Sequence, residues 1–149
     1  MCEISYRKNK QFMNKKILVA DDDEVFRNKH RASLESLGYQ VHSVDNGYDA
    51  SRVLLTEEDI HGAVLDNNMK PGDRGVQILD GIRNGVYGQS KQNLPVVICS
   101  NGLDIRDKIL VGVRKGVYLQ KSADQERYAR VLRGAFGDPV ETGVAGASG

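Results

Sequence analysis

The chain has 149 residues, a length typical of one domain with its own core. Its 21 Lys and Arg residues and 20 Asp and Glu residues give a net charge of +1, and no basic cluster among aromatic residues indicates a nucleic-acid surface. Two cysteines and the lack of a long apolar run argue against a disulfide framework, a zinc site and a membrane protein, and favour a cytoplasmic one.

Three segments are predicted along the chain. Residues 1–14 show no periodicity and are expected to form an N-terminal arm, whose charged sequence lacks the apolar stretch of a secretory signal. Residues 15–136 carry the patterns of one folded domain. Residues 137–149 are rich in Gly and Ala and are predicted to be a flexible C-terminal tail.

Five strands and five helices alternate in the predicted domain. The runs 17–20 and 62–65 are apolar throughout, which is typical of strands buried on both faces. The strands are predicted at 17–20, 39–44, 62–66, 94–99 and 117–120. The helices are predicted at 24–37, 45–55, 75–83, 104–115 and 123–136. This alternation predicts an α/β fold, a doubly wound parallel sheet with helices on both faces.

Some individual side chains are assigned places in these elements. Asp23 and Asp45 are expected to cap helices, and His30 to lie on a helix surface or boundary. In the fourth helix, four apolar residues are predicted to face the core. They are Ile105, Ile109, Leu110 and Val113. Cys99 is expected to be a small buried apolar residue.

Polar side chains follow the strands at their carboxyl ends: Asp21, Asp22, Asp66, Ser100 and Lys121. Right-handed crossovers bring these ends to one edge of a parallel sheet. If the strand order is the flavodoxin-like 2-1-3-4-5, the first and third strands are neighbours at the switch point. The three carboxylates then lie within a few ångströms of one another.

Such a carboxylate cluster needs positive charge, since like charges at close range repel by several kcal/mol at an effective dielectric of about 20. Lys121 supplies one charge, and a divalent ion can supply the rest. Hard oxygen ligands without His or Cys favour Mg²⁺ over Zn²⁺. The site could stabilise phosphoryl transfer, and one carboxylate could itself take the phosphoryl group. The Ser100 hydroxyl is placed to donate to a phosphoryl oxygen.

Four short motifs in this order and spacing carry a family resemblance. They are Ile-Leu-Val-Ala-Asp-Asp-Asp at 17–23, Val-Leu-Asp-Asn-Asn-Met at 64–69, Val-Ile-Cys-Ser at 97–100 and Tyr-Leu-Gln-Lys at 118–121. Each is weak alone. Together, over residues 15–136, the chain resembles a receiver domain of the two-component response regulators, of the stand-alone, chemotaxis-regulator-like kind without an output domain.

The resemblance implies a role for each site residue. Asp66 matches the phosphoacceptor, and Lys121 matches the lysine that contacts the phosphoryl group. Ser100 and Tyr118 match the two switch residues. The Mg²⁺ ligands implied are Asp21, Asp22, Asp66 and the backbone carbonyl of Asn68.

The resemblance also implies partners and an activity. A histidine kinase or histidine phosphotransfer protein is the expected phosphoryl donor, with Mg²⁺ as cofactor. The domain is expected to be a signalling protein that catalyses only its own phosphoryl transfer and dephosphorylation, not an enzyme. A downstream protein target is expected on the surface formed by residues 104–136, with no role for nucleic acid or membrane.

The sequence departs from the family pattern at three positions. Lys70 intervenes between Met69 and Pro71, Asn101 follows Ser100 where a small residue is common, and Ser122 follows Lys121 where the family commonly has Pro. We predict that Lys121–Ser122 is nevertheless a cis peptide that aims the lysine, although a cis bond without Pro costs about 2.5–4 kcal/mol.

Two other functions fit parts of the pattern. A small Mg²⁺-dependent phosphatase of the haloacid dehalogenase type also uses an Asp nucleophile, but the segment 21–25 lacks the Thr of that family and the chain has no cap segment. A receiver-like adaptor that acts unphosphorylated is the other alternative, favoured by the altered loop around Lys70.

Overall fold

A computed structural model describes residues 14–140 of the chain. Its strands form one five-stranded parallel sheet in the order β2-β1-β3-β4-β5, which confirms the predicted fold. The strands are β1 Lys16–Ala20, β2 Gln40–Val44, β3 Ile60–Asp66, β4 Val96–Ser100 and β5 Val117–Gln120.

Five α-helices connect or follow the strands. They are α1 Glu24–Ser36, α2 Gly47–Thr56, α3 Gly75–Arg83, α4 Ile105–Val113 and α5 Gln125–Phe136, with a 3₁₀ turn at Gln89–Lys91. Alternate residues of the central strands face opposite layers, since side chains alternate along a strand. Leu18 and Ala20 of β1 pack in the layer of α2, α3 and α4, whereas Ile17 and Val19 pack in the layer of α1 and α5.

The helix caps correct one prediction from the sequence. Asp23 caps α1 as expected, and its carboxylate accepts hydrogen bonds from the backbone N–H groups of Val25 and Phe26. The cap of α2 is Asn46, whose side chain accepts from the Asp49 N–H, and not Asp45. Both residues suit a cap, but only the residue directly before the first helical turn can reach the free N–H groups.

Helix α4 presents a different face to the core from the one predicted. Ile105, Ile109 and Val113 are 69%, 58% and 69% exposed, while Asp107 and Val111 are buried. Of the four residues predicted to face the core, Leu110 is half-buried and packs against it. The apolar residues of this helix occupy two faces, and both satisfy a 3.6-residue period. The choice depends on a polar contact of Asp107 that periodicity does not register, described below.

The ends of the described segment meet beside α1. The Lys15 N–H donates to the Pro139 carbonyl at 2.7 Å, and Asn14 forms an isolated antiparallel bridge with Val140. The first four residues of the predicted tail therefore pack on the domain. The rest of that tail, and the predicted arm except Asn14, lie outside the described residues. No helix within 14–140 has the length and apolarity to cross a membrane.

Candidate functional site

Three carboxylates meet at the carboxyl edge of the sheet. Asp21 directly follows β1, Asp22 is next to it, and Asp66 is the last residue of β3. One ligand oxygen from each lies within 4.8 Å of the others. Asp21 and Asp66 are only 0% and 4% exposed, whereas Asp22 is exposed. The adjacency of β1 and β3 in the sheet produces this cluster.

Lys121 places one ammonium between two of the carboxylates. It follows β5, where its backbone N–H donates to the Ser100 carbonyl at 3.0 Å. Its Nζ lies 3.0 Å from Asp21 Oδ2 and 3.4 Å from Asp66 Oδ2. The prediction that Lys121–Ser122 is a cis peptide is wrong, because the one cis peptide bond within 14–140 is Lys70–Pro71. A trans peptide is sufficient to aim the lysine, since its four-carbon side chain spans the remaining distance.

The environment of Asp66 favours its neutral form. Burial and the nearby Asp21 charge raise the pKa of Asp66 to about 6, against the opposing pull of Lys121 and a hydrogen bond from the Asn68 backbone N–H. At pH 7 the carboxylate is still mostly ionised and unusually basic. Both properties suit a nucleophile that must be deprotonated and reactive at neutral pH.

Asp21 is held as a charged group by its hydrogen bonds. Burial alone raises its pKa, but hydrogen bonds from His30, the Asp23 backbone N–H and Lys121 outweigh burial and lower it. For Lys121, burial acts to lower the pKa, and the charges and hydrogen bonds of Asp21 and Asp66 reverse that effect and raise it. The buried part of the site therefore combines one fixed carboxylate, one basic carboxylate and one ammonium.

The donor set fits a hard divalent cation. Asp21, Asp22 and Asp66 carry up to three negative charges, and Lys121 offsets only one of them. Carboxylate oxygens without a His or Cys ligand match Mg²⁺. Asn68, predicted to add its backbone carbonyl, is two residues after Asp66 and exposed. With Asp22 it lines a cleft of about 230 Å³, completed by Met69, Lys70, Gly72 and Arg74.

The two predicted switch residues are in contact with each other. Ser100 ends β4, and its hydroxyl donates to the Gly102 carbonyl at 3.1 Å. The hydroxyl is thus engaged by its own loop. Tyr118 on β5 donates its O–H to the Ser100 carbonyl at 3.3 Å, and its ring is half-buried with Lys108 Nζ 5.9 Å from the ring centre. The Ser100 carbonyl therefore accepts from both Tyr118 and Lys121.

The loop after Asp66 is tied to helix α4. Asn67 donates from Nδ2 to Asp107 Oδ2 at 3.1 Å, and Arg74 Nη1 lies 2.7 Å from the same oxygen. Asn67 also accepts from the Val76 backbone N–H at 3.1 Å, which fixes the start of α3. These contacts explain why α4 turns Asp107 and not its isoleucines inward. Sequence reasoning assigned no role to Asn67, Arg74 or Asp107.

A buried polar chain behind Asp21 was also not predicted. His30, expected on a helix surface or boundary, is 1% exposed and contacts Asp21 and Tyr128. Cys99 is buried as predicted, and it contacts the Tyr128 hydroxyl. The available signal was that His30 falls on the same helical face as Leu34, which packs in the core.

Comparison with known proteins gives one family and a consistent fold. The model of the response regulator receiver domain family matches residues 17–133. A receiver domain protein of Methanospirillum hungatei, described as CheY-like, superposes with a TM-score of 0.70 at 16% identity, covering 81% of this chain and 92% of that one. Chemotaxis protein CheY4 of Vibrio cholerae gives 0.69 at 20% identity, covering 82% and 98%.

A further solved structure is similar to the same degree. It is the receiver domain of a sensor histidine kinase of Pseudomonas aeruginosa, with a TM-score of 0.68 at 23% identity, covering 83% of this chain and 98% of that one. That structure is described with a magnesium ion coordinated in the active-site cleft. At these identities the structural matches show the fold.

Proposed function

Because this chain belongs to the response regulator receiver domain family, we propose that it is a phosphorylated signalling receiver whose phosphoacceptor is Asp66. A receiver is a signalling domain and not a conventional enzyme. The observation that carries the assignment is the position of Asp66, buried at the end of β3 with its pKa near 6 and Lys121 Nζ 3.4 Å from its oxygen.

The proposed transfer uses few protein groups. An Asp66 carboxylate oxygen attacks the phosphorus of a phosphohistidine on a histidine kinase or phosphotransfer protein. An O–P bond forms as the P–N bond breaks, and its electron pair stays on the imidazole nitrogen of the donor, which is then protonated. Lys121 Nζ lies 3.4 Å from the attacking carboxylate of Asp66 and can stabilise the charge on the phosphoryl oxygens.

The carboxylate cluster supports a Mg²⁺ requirement. Asp21, Asp22 and Asp66 would hold the ion through carboxylate oxygens, with the Asn68 carbonyl as a further ligand. When bound, Mg²⁺ supplies neutralisation of the negative charge that gathers around the phosphoryl group. Without the positive charge of the ion, the carboxylate of the exposed Asp22 would repel an approaching phosphate.

We propose that output uses Ser100, Tyr118 and the face beside them. A phosphoryl group on Asp66 offers acceptors to the Ser100 hydroxyl, which must leave the Gly102 carbonyl to reach them. Because Tyr118 bonds to the Ser100 carbonyl, movement of one residue changes the other. The proposed partner surface, residues 104–136, carries the exposed apolar side chains Ile105, Ile109 and Val113 on α4.

One experiment separates this function from its alternatives. The full chain is incubated with Mg²⁺ and a small acyl phosphate donor, and its intact mass is followed with time. A gain of one phosphoryl group that decays slowly supports the receiver. Rapid turnover of phosphate esters with no accumulated modification would indicate a phosphatase. No modification would indicate an adaptor that acts unphosphorylated.

A further inference from the structure

A buried chain of four side chains leads from the site to the layer of α1 and α5. Three contacts of 3.0 Å link Asp21 Oδ2 to His30 Nε2, His30 Nδ1 to the Tyr128 hydroxyl, and that hydroxyl to Cys99 Sγ. All four residues are at most 1% exposed. The His30 and Tyr128 rings are also stacked, with centres 5.6 Å apart and planes 11° apart.

The direction of the hydrogen bonds follows from the groups present. Asp21 is ionised and can only accept, so His30 donates from Nε2. When the ring carries only that proton, Nδ1 is an acceptor and the Tyr128 O–H donates to it. The remaining lone pair of the Tyr128 oxygen can accept from the Cys99 S–H. Burial raises the pKa of the Cys99 thiol to about 11 and that of Tyr128 above its usual value, so both keep their protons at neutral pH.

Each oxygen of Asp21 is anchored by the protein. Oδ1 accepts from the Asp23 backbone N–H at 2.9 Å, and Oδ2 accepts from His30. The two bonds fix the plane of the carboxylate. Lys121 Nζ lies 3.2 Å and 3.0 Å from these oxygens and uses acceptor capacity that a cation could share. Without His30, Lys121 would be the one remaining partner of Oδ2 among these groups, and the Asp23 N–H alone would hold the carboxylate plane against the ammonium.

From this geometry we infer that His30, itself held by Tyr128, is a positioning residue that orients Asp21 for divalent cation binding. The inference rests on the proposed function, because it concerns the Mg²⁺ site of the receiver. Groups behind a metal ligand fix its orientation, and their loss typically lowers metal affinity 10- to 100-fold. His30 is 1% exposed and reaches the site only through its contact with Asp21 Oδ2, so it acts through Asp21 and is not itself a ligand.

The first test compares Mg²⁺ dissociation constants of the full chain and its variants. Amide shifts of residues 21–23 and 66–68 report binding as Mg²⁺ alone is titrated. We expect His30→Leu to weaken binding 10- to 100-fold, and Tyr128→Phe to weaken it less, because the ring stays and only the hydroxyl is lost. The double variant should bind as His30→Leu does, since Tyr128 acts through His30.

Matched controls separate positioning from general damage to the fold. His42→Leu makes the same change on the edge strand β2, and Tyr87→Phe removes a hydroxyl that bonds to Ser51 on the other side of the sheet. Both should bind Mg²⁺ as the unsubstituted chain does. A purely structural role for His30 predicts a lower melting temperature with an unchanged dissociation constant in the folded protein, and that result would overturn the inference.

A second measurement uses the unsubstituted chain, so it tests the inference even if the His30 variant fails to fold. The ¹⁵N shifts of the His30 ring should show the proton on Nε2, and the Nε2 shift should move when Mg²⁺ saturates the site. A ring with its only proton on Nδ1, or ring shifts unchanged by Mg²⁺, would overturn the inference. If the unsubstituted chain binds no Mg²⁺, the proposed function fails along with it. If the unsubstituted chain binds Mg²⁺ and His30→Leu binds it with the same affinity, this inference alone is overturned.

Discussion

At the scale of single residues, the burial of Asp66 has a consequence for stability as well as chemistry. A carboxyl group whose pKa is about 6 in the folded protein and 3.8 in the unfolded chain is harder to ionise when folded. The folded state therefore binds more protons between about pH 4 and pH 6, and its stability falls as pH rises through that window. Burial of Asp66 therefore lowers the stability of the folded protein at neutral pH, and the same burial makes the carboxylate more basic.

Asp66→Asn should be more stable than the unsubstituted protein at pH 7 without divalent metal, by about 1–3 kcal/mol. The advantage should shrink as pH falls from about 6 toward 4, where Asp66 of the unsubstituted protein becomes protonated. Urea unfolding in EDTA across this range measures it. The exposed Asp73→Asn serves as the control. Equal stabilities at pH 7, or an advantage that grows at lower pH, would contradict this account of the site.

The residues of the site differed in how well the sequence predicted them. Asp21 and Lys121 directly follow β1 and β5, and Asp66 ends β3, so the parallel sheet alone brought them to one edge. His30 could not be placed, because its burial depends on Tyr128 and Cys99, which are 98 and 69 residues away in sequence. Periodicity indicates a face, but it does not show which polar side chains find partners inside.

At the scale of elements, helix α4 is connected to the phosphoacceptor loop by Asp107. This buried carboxylate receives both the Asn67 amide, next to Asp66, and the Arg74 guanidinium. It explains why the helix leaves its isoleucines exposed. Hydrophobic pattern alone offered two faces for α4, and the choice was made by a polar contact that the sequence did not reveal.

Arg74→Gln should loosen the start of α4 without unfolding the protein. Arg74 is 45% exposed at its side chain, so the ion pair contributes no more than about 1 kcal/mol. Amide hydrogen exchange in α4 should speed up about two- to fivefold. Arg52→Gln, which removes an exposed pair with Asp49 on α2, is the matched control. Unchanged α4 exchange in Arg74→Gln would show that this contact does not hold the helix.

Ser100→Ala should leave Asp66 open to phosphorylation but reduce the amide shift changes that follow in α4 and β5. Tyr118→Ala should reduce these shift changes too. In the double variant the reduction should be smaller than the sum of the two single reductions, because the Tyr118 hydroxyl bonds to the Ser100 carbonyl. Coupling of this kind is typically about 1–3 kcal/mol. Shift changes confined to β2 and α2, at the opposite edge of the sheet, would exclude the proposed route.

At the scale of the whole molecule, the fold was predictable because its central strands are continuous apolar runs with polar residues at their ends. The predicted order of strands is confirmed. What the sequence could not supply was the close packing between layers. Gly62 on β3 faces the Phe136 ring at the end of α5, and an added Cβ would lie 2.5 Å from two ring carbons.

Gly62→Ala should therefore destabilise the protein by about 1–3 kcal/mol, because the ring of the buried Phe136 must shift. Gly134→Ala, in the same helix α5, meets nothing within 4 Å and should stabilise by up to about 1 kcal/mol through helix propensity. Urea midpoints of both variants measure the difference. A Gly62→Ala variant as stable as the unsubstituted chain would show that this interlayer contact is loose.

The most direct test of the central claim is to locate the phosphoryl group on the chain. After phosphorylation with a small acyl phosphate donor and Mg²⁺, borohydride reduces an aspartyl phosphate to homoserine, which peptide mass spectrometry places in the sequence. We predict homoserine at position 66, and none in Asp66→Asn. Homoserine at Asp21 or Asp22, or a phosphorylated chain that yields no homoserine, would contradict the assignment of Asp66 as the phosphoacceptor.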